Sequence, residues 1–128
     1  MSAGKYNFTI EQGTTVIKQF TYKDSAGTVV DLSNYSASMQ IRPDYDSSAI
    51  LGLTGSVSSS TSEQGLAIIA PSGSSTKGQV QLTIKATTTE GFSFTSALYD
   101  LEIKNSTTGA VTRLLQGSIG LSQEITKI

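Results

Sequence analysis

The sequence predicts an all-β fold: a single antiparallel β-sandwich, Ig-like but without a disulfide, with about seven to nine short strands and at most one helical turn. Three observations support this prediction. Apolar and polar residues alternate with a period of two along much of the chain, which is typical of strands with one buried face. Residues that favour strands are abundant, with 6 Val, 11 Ile and 17 Thr. Turn-forming residues are also frequent, with 12 Gly and 20 Ser.

Five segments carry the alternation most clearly. In chain order, the alternating sets are Tyr6, Phe8 and Ile10; Val16, Lys18, Phe20 and Tyr22; Ala37, Met39 and Ile41; Val80, Leu82 and Ile84; and Tyr99, Leu101 and Ile103. A further apolar segment, residues 111–121, contains Gly117 and Gly120, which predicts two short strands or one bulged strand. Residues 86–91 predict the single helical turn.

Turn signals separate these segments. Residues 23–27 and 105–109 each end in glycine, as hairpin turns prefer. Pro43 is expected to end the strand before it, because proline has no N–H to donate to a sheet. Residues 56–62 and 71–78 are rich in small polar residues and are predicted to be loops or thin edge segments.

One domain is predicted over residues 1–128, because no linker and no internal repeat divides the chain. Extended arms are expected at residues 1–5 and 124–128. The N-terminal residues 5–10 are expected to be unpaired, and therefore to be available to a neighbouring molecule.

Composition excludes several classes of function. The net charge is −1, from 9 Lys and Arg against 10 Asp and Glu, which does not fit a nucleic-acid-binding surface. His and Cys are both 0, which excludes the usual zinc sites, thiol nucleophiles and Ser-His-Asp triads. We therefore expect a non-enzymatic module without catalytic, cofactor-binding or metal-binding residues. Residues 1–5 lack the apolar core of a signal peptide, and the longest apolar run, residues 66–70, is too short to insert into a membrane.

Two pairs of acidic residues could carry chemistry, and a structural role is the preferred interpretation of each. Asp44 and Asp46 offer two carboxylates, whereas calcium takes roughly six to eight oxygen ligands, so a turn is preferred. Asp100 and Glu102 share one strand face, as a glycosidase pair would. Because Lys104 lies on the same face, a solvated outer surface is preferred there.

Candidate contact residues come from three groups: aromatic residues in or beside predicted loops, the two arginines, and apolar residues near the C-terminus. They are Tyr45, Phe92, Phe94, Arg42, Arg113, Ile125 and Ile128. The arginines either bind an acidic ligand or a partner protein, or pair with a nearby acid at a strand end. The two isoleucines are expected to dock on a neighbouring chain or on the domain's own edge.

Two runs of the sequence resemble small structural proteins of tailed bacteriophages and prophages. In those proteins an Asp-Leu-Ser/Thr-x-Tyr element leads into a strand that ends in Met-Gln-Ile-Arg. The first run here is Phe20-Thr21-Tyr22-Lys23-Asp24, Gly27, and Val30-Asp31-Leu32-Ser33-Asn34-Tyr35-Ser36-Ala37-Ser38-Met39-Gln40-Ile41-Arg42. The second is Tyr99-Asp100-Leu101-Glu102-Ile103, Gly109, Val111-Thr112-Arg113-Leu114-Leu115-Gln116-Gly117, and Ser122-x-Glu124-Ile125-Thr126. The opening Phe8-Thr9-Ile10-Glu11-Gln12-Gly13 also fits, and residues 44–77 lie outside the resemblance.

The resemblance implies a non-enzymatic virion protein, most often a tail, baseplate or fibre-associated β-sandwich. Its expected partners are other virion proteins and copies of itself, and its expected location is the virion, after assembly in the bacterial cytoplasm and release by lysis. Two alternatives remain open. One is a capsid decoration protein, and the other is a receptor-binding module that takes a host surface glycan.

Overall fold

Two β-sheets packed face to face form the part of the chain that the structure describes. A computed structural model describes residues 4–23, 27, 30–57, 63–69, 78–123 and 125. Its elements are β1 (Gly4–Lys5), β2 (Phe8–Glu11), β3 (Val16–Thr21), β4 (Tyr35–Arg42), β5 (Leu51–Ser56), β6 (Gly65–Ile69), β7 (Gln79–Ile84), α1 (Ala86–Thr89), β8 (Ser96–Asn105) and β9 (Val111–Ser122). The predicted all-β sandwich is confirmed.

The larger sheet has the order β1-β9-β8-β4-β5, and β2 also pairs with β9. Its strands are antiparallel except at the N-terminal edge, where β1 and β2 both run parallel to β9. The prediction that residues 5–10 are unpaired is therefore wrong for Lys5, which lies in β1, and for residues 8–10, which lie in β2, because both strands pair with β9. The backbone groups of β9 need partners on both sides, and the N-terminal segment supplies them on one side.

The smaller sheet has the order β3-β7-β6 and is antiparallel throughout. Its inner face packs on the inner face of the larger sheet. The largest completely buried apolar side chains come from both sheets and from the segment before β4: Ile10, Leu32, Met39, Ile41, Leu66, Leu82, Ile84, Leu101, Ile103, Ile119 and Val80. The alternation predicted for β4, β7 and β8 therefore places one apolar set of each strand in a common core.

The two sheets approach each other differently on their two sides. On one side, β5 and β6 come into backbone contact, with Gly55 against the carbonyl of Leu66. On the other side, aromatic rings fill the space between β2 and β3, since Tyr6 stacks on Phe8 and meets Phe20 edge-on. Lys18 is on the inner face of β3, and its ammonium group lies 5.5 Å from the centre of the Phe8 ring.

Several local predictions are confirmed. The helical turn forms at α1, and β4 ends at Arg42, immediately before Pro43. The last apolar segment is one bulged strand: Leu101 pairs with Leu115 and Glu102 with Arg113, so one residue of β9 between these pairs has no opposite partner. The turn at residues 105–109 closes the β8–β9 hairpin, and Gly109 adopts the positive φ of 78° that this turn requires.

The sequence patterns did not predict β5 and β6 as strands. In β5, Gly55 stands at a position where the alternation requires an apolar residue. In β6 an apolar run is buried on both faces, so no alternation is present. Ser56 is the last residue of β5, which is an edge strand of the larger sheet, so at this residue the prediction of a loop or an edge segment for residues 56–62 agrees with the structure. Of the other predicted turn and loop residues, 24–26, 58–62 and 71–77 lie outside the described residues.

We expect Tyr99→Phe to change how stability depends on pH. The Tyr99 hydroxyl donates to the Tyr6 carbonyl at 2.5 Å, and burial, with a smaller contribution from Tyr6, raises the pKa of Tyr99 from 10.0 to about 12. Because the folded-state pKa is the higher one, this group's contribution is complete below pH 10 and is lost as the pH rises through 12.

Urea unfolding at several pH values between 9 and about 12 tests this expectation. Below pH 10, Tyr99→Phe should be less stable by about 1–2 kcal/mol, since the Tyr6 carbonyl loses its donor. Above pH 10 the wild-type protein should lose stability more steeply than the variant. The two proteins share every other titratable group, so the difference between the two curves isolates Tyr99, and parallel curves would contradict the assignment.

Candidate functional site

An open groove of about 690 Å³ lies on the outer face of the larger sheet. Outward-facing side chains of β4, β8 and β9 form its floor, residues before β2 lie beside β9, and the turn after β4 adds a rim. We call this surface the outer groove. Its lining side chains include Lys5, Asn7, Ser38, Gln40, Arg42, Asp44, Tyr45, Leu98, Asp100, Glu102, Arg113, Gln116 and Ser118.

Strand register arranges the floor in rows that run across the sheet. Gln40 pairs with Asp100, and Asp100 pairs with Gln116. In the next row, Ser38 pairs with Glu102. Each row therefore crosses β4, β8 and β9 with polar side chains about 4.8 Å apart, which is the separation of neighbouring strands.

Arg113 is the central cation of the floor. Its Nε atom lies 3.5 Å from Asp100 Oδ2 and 3.8 Å from Glu102 Oε2, and one terminal nitrogen donates to Gln116 Oε1 at 3.4 Å. The arginine is half exposed, so these ion pairs contribute little to stability. Their main effect is to orient the side chains of Asp100, Glu102 and Gln116, because one guanidinium group contacts all three. The interpretation that Arg113 pairs with nearby acids is supported by these distances.

Arg42 connects the floor to the rim. Its guanidinium donates to Gln40 Oε1 at 3.1 and 2.6 Å and to the Ser47 carbonyl at 2.7 Å. Arg42 therefore holds the turn at residues 43–47 against the end of β4 through an amide and a backbone carbonyl. No ion pair of Arg42 is present among the described residues, so here the predicted pairing with an acid is not observed.

The turn itself is organised by Asp44. Its carboxylate accepts the N–H of Asp46 at 3.0 Å, and hydrogen bonds from the Ser47 hydroxyl and then from that N–H lower the pKa of Asp44. This geometry supports a turn rather than a calcium loop. In the described part of the chain, no group of three or more acidic, His or Cys side chains could hold a metal ion.

The predicted contact residues lie in different environments. Tyr45 is 87% exposed at the rim of the outer groove. Phe92 is only 6% exposed. The prediction that it lies on a contact surface is therefore wrong, because the segment after α1 folds back and places this ring in the core. Phe94 is half-buried against the Phe92 ring.

The C-terminal predictions are tested only in part. Ile125 is 97% exposed, so it does not dock on the domain's own edge. Its docking on a neighbouring chain stays a prediction. Ile128 lies outside the described residues, as does most of the predicted arm at 124–128.

Sequence reasoning missed Gln40, Gln116, Lys5 and Asn7 as site residues. The signal that was present is the polar character of the outward positions of β4 and β8. The sequence carried no signal for the pairing of these strands, which brings together residues 60 positions apart in the chain, such as Gln40 and Asp100. Local patterns show which side chains point outward, but they do not show which strands are neighbours.

The described part of the chain is thus an all-β, two-sheet domain with a polar groove on the outer face of its larger sheet. A scan against protein-family models and a search of curated proteins found no match to it. Within the described residues, no helix is both long enough and apolar enough to cross a membrane.

Proposed function

We propose that this chain is a non-enzymatic structural protein of a tailed-bacteriophage particle. In this proposal it is a tail, baseplate or fibre-associated subunit that assembles with other virion proteins and with copies of itself. The closest alternative within the same proposal is a capsid decoration protein. Both roles require a stable β-domain with surfaces that bind neighbouring subunits.

The observation that carries the proposal is that the two phage-like runs of the sequence form one structural unit. The first run contains β4, the second contains the central residues of β8 and most of β9, and these three strands are adjacent in the larger sheet. The two runs are far apart in the chain. If their resemblance to one family reflects a common fold, they are expected to lie next to each other in the folded domain.

The Asp-Leu-Ser-x-Tyr element joins these runs directly. Leu32 is completely buried in the core, and Asp31 accepts the N–H of Ser33 at 2.9 Å, which shapes the turn before β4. The carbonyl of Asn34 accepts both the N–H and the hydroxyl of Ser106, at 2.8 and 2.7 Å. The turn that carries the Asp-Leu-Ser-x-Tyr element therefore also holds the β8–β9 hairpin turn, which lies between the two halves of the second run.

Exposed apolar and aromatic side chains supply surface for assembly. Tyr45, Ile17, Val111 and Ile125 are each more than half exposed. They lie at separate places on the domain, on the rim turn, on β3, on β9 and near the C-terminus. Such a distribution suits a subunit with several neighbours, since tyrosine and large apolar residues contribute strongly to protein interfaces.

Gold-labelled antibodies against this chain, applied to particles purified from lysed producing cells, test the proposal. The expected result is label at the tail or the baseplate, together with recovery of the chain in the purified particles by mass spectrometry. Label on the heads would establish the decoration role instead. If the chain separates from the particles during purification and labels neither structure, the proposal is wrong, and pre-immune antibody is the control.

A further inference from the structure

The described lining of the outer groove is densely polar and carries no net charge. Among the described residues, three cations and three anions line it: Lys5, Arg42 and Arg113 against Asp44, Asp100 and Glu102. A phosphate-rich or strongly basic ligand would place some of its charges beside like charges. The groove therefore favours a ligand that is recognised by hydrogen bonds and carries no net charge.

The glutamine amides of the floor are oriented by the arginines. Gln40 Oε1 accepts from Arg42, and Gln116 Oε1 accepts from Arg113. With the oxygen of each amide engaged, each Nε2 group has two N–H donors for an occupant. Asp100 lies between them in the row and is an acceptor. The row Gln40–Asp100–Gln116 thus presents donor, acceptor and donor groups across three strands.

Tyr45 adds an apolar surface to this polar row. Its ring is 87% exposed and stands on a turn that Arg42 and Asp44 hold in place. An aromatic ring beside fixed donors and acceptors matches the chemistry of a pyranose, which has an apolar C–H face and a rim of hydroxyl groups. A protein partner would instead be expected to need an apolar pocket for an anchor side chain, and among the floor residues Leu98 is the one apolar side chain that faces outward.

We propose that the outer groove binds a neutral oligosaccharide. Tyr45 stacks on one sugar ring, and the row Gln40–Asp100–Gln116 makes hydrogen bonds with hydroxyl groups. The inference goes beyond the proposed structural role and depends only on the groove, so particle labelling and sugar binding can fail independently.

Nuclear magnetic resonance titration of the isotope-labelled full chain tests this inference. The neutral probes are maltohexaose, cellohexaose, mannohexaose and N-acetylchitohexaose, each added to about 10 mM. Hexagalacturonate and the chitosan hexamer are the charged counterparts. At least one neutral probe is expected to bind with a Kd below about 1 mM and to shift the side-chain amides of Gln40 and Gln116. If no neutral probe shifts them, or if the charged probes bind more tightly, the inference is overturned.

Variants separate specific binding from a general surface effect. Tyr45→Ala and Gln40→Ala are each expected to weaken the best probe at least about tenfold, whereas Ile17→Ala, which alters an exposed side chain of the other sheet, should leave affinity unchanged. Equal loss in all three variants would overturn the inference. A second outcome would also overturn it. If the groove amides shift with protein concentration in the absence of sugar, and ultracentrifugation shows self-association over the same range, the groove binds a second copy of the chain.

Discussion

Gly55→Ala is expected to lower the free energy of unfolding by about 3 kcal/mol or more, which for many domains of this size is a large part of the total. A methyl group at this position would overlap the carbonyl oxygen and carbon of Leu66. Both atoms belong to the backbone of β6, so they cannot rotate away as a side chain would. The sheets must separate at this edge, or β5 must leave β4, and either movement exposes core residues such as Leu53.

Gly52→Ala is the matched control on the same strand. No atom lies within 4 Å of a methyl group added there, and its stability should stay within about 0.5–1 kcal/mol of wild type. Urea unfolding of the two variants measures the difference directly. Equal midpoints for Gly55→Ala and Gly52→Ala would show that β5 and β6 are not in backbone contact at this position.

Gly117→Ala is expected to detach the N-terminal strands from β9. Its added methyl group would overlap the Tyr6 carbonyl and lie 2.7 Å from Asn7 Oδ1. These two residues form the break between β1 and β2, and Asn7 Oδ1 also accepts the N–H of Ser118 at 2.9 Å. The predicted cost is about 2–3 kcal/mol, because the Tyr99 hydrogen bond and the aromatic contacts between β2 and β3 depend on this segment.

Hydrogen exchange of backbone amides tests the location of this effect as well as its size. In Gly117→Ala, exchange should become faster in residues 8–11 and 117–122, while β4 and its pairing with β5 keep their protection. Gly120→Ala is the control, since the nearest atom to its added methyl group is Thr9 Oγ1 at an ordinary 3.7 Å. Unchanged protection of residues 8–11 in Gly117→Ala would contradict the packing described for β9.

The sequence predicted the strands whose apolar residues alternate with polar ones. The alternation of Ala37, Met39 and Ile41 with Ser38 and Gln40 identifies both the core and the outer face of β4. A strand whose residues do not alternate carries no such signal. In β5, Gly55 takes the place of an apolar side chain because the backbone of Leu66 is close, so the contact that shapes the sandwich also removes the pattern that would reveal the strand.

The outer groove was less predictable than the fold, for a physical reason. Arg42 and Tyr45 were identified as contact residues from their type and their position near a predicted turn. Gln40 and Gln116 carry no such signal, because a single exposed glutamine on a strand is ordinary. They become a site only through strand pairing and through the arginines that orient their amides. Phe92 was misjudged because proximity to a turn does not determine the direction in which a ring points.

Lys18 has a consequence for how copies of this chain can associate. It lies on β3, which is an edge strand of the smaller sheet, and it points to the inner side with its ammonium group over the Tyr6 and Phe8 rings. Among the described residues, Lys18 has no acidic partner. A strand from another molecule that added to this edge would cover the ammonium group and remove it from water, which is costly for a charge. Growth into continuous intermolecular sheets is therefore disfavoured along β3, and copies of this chain that associate would use other surfaces of the domain.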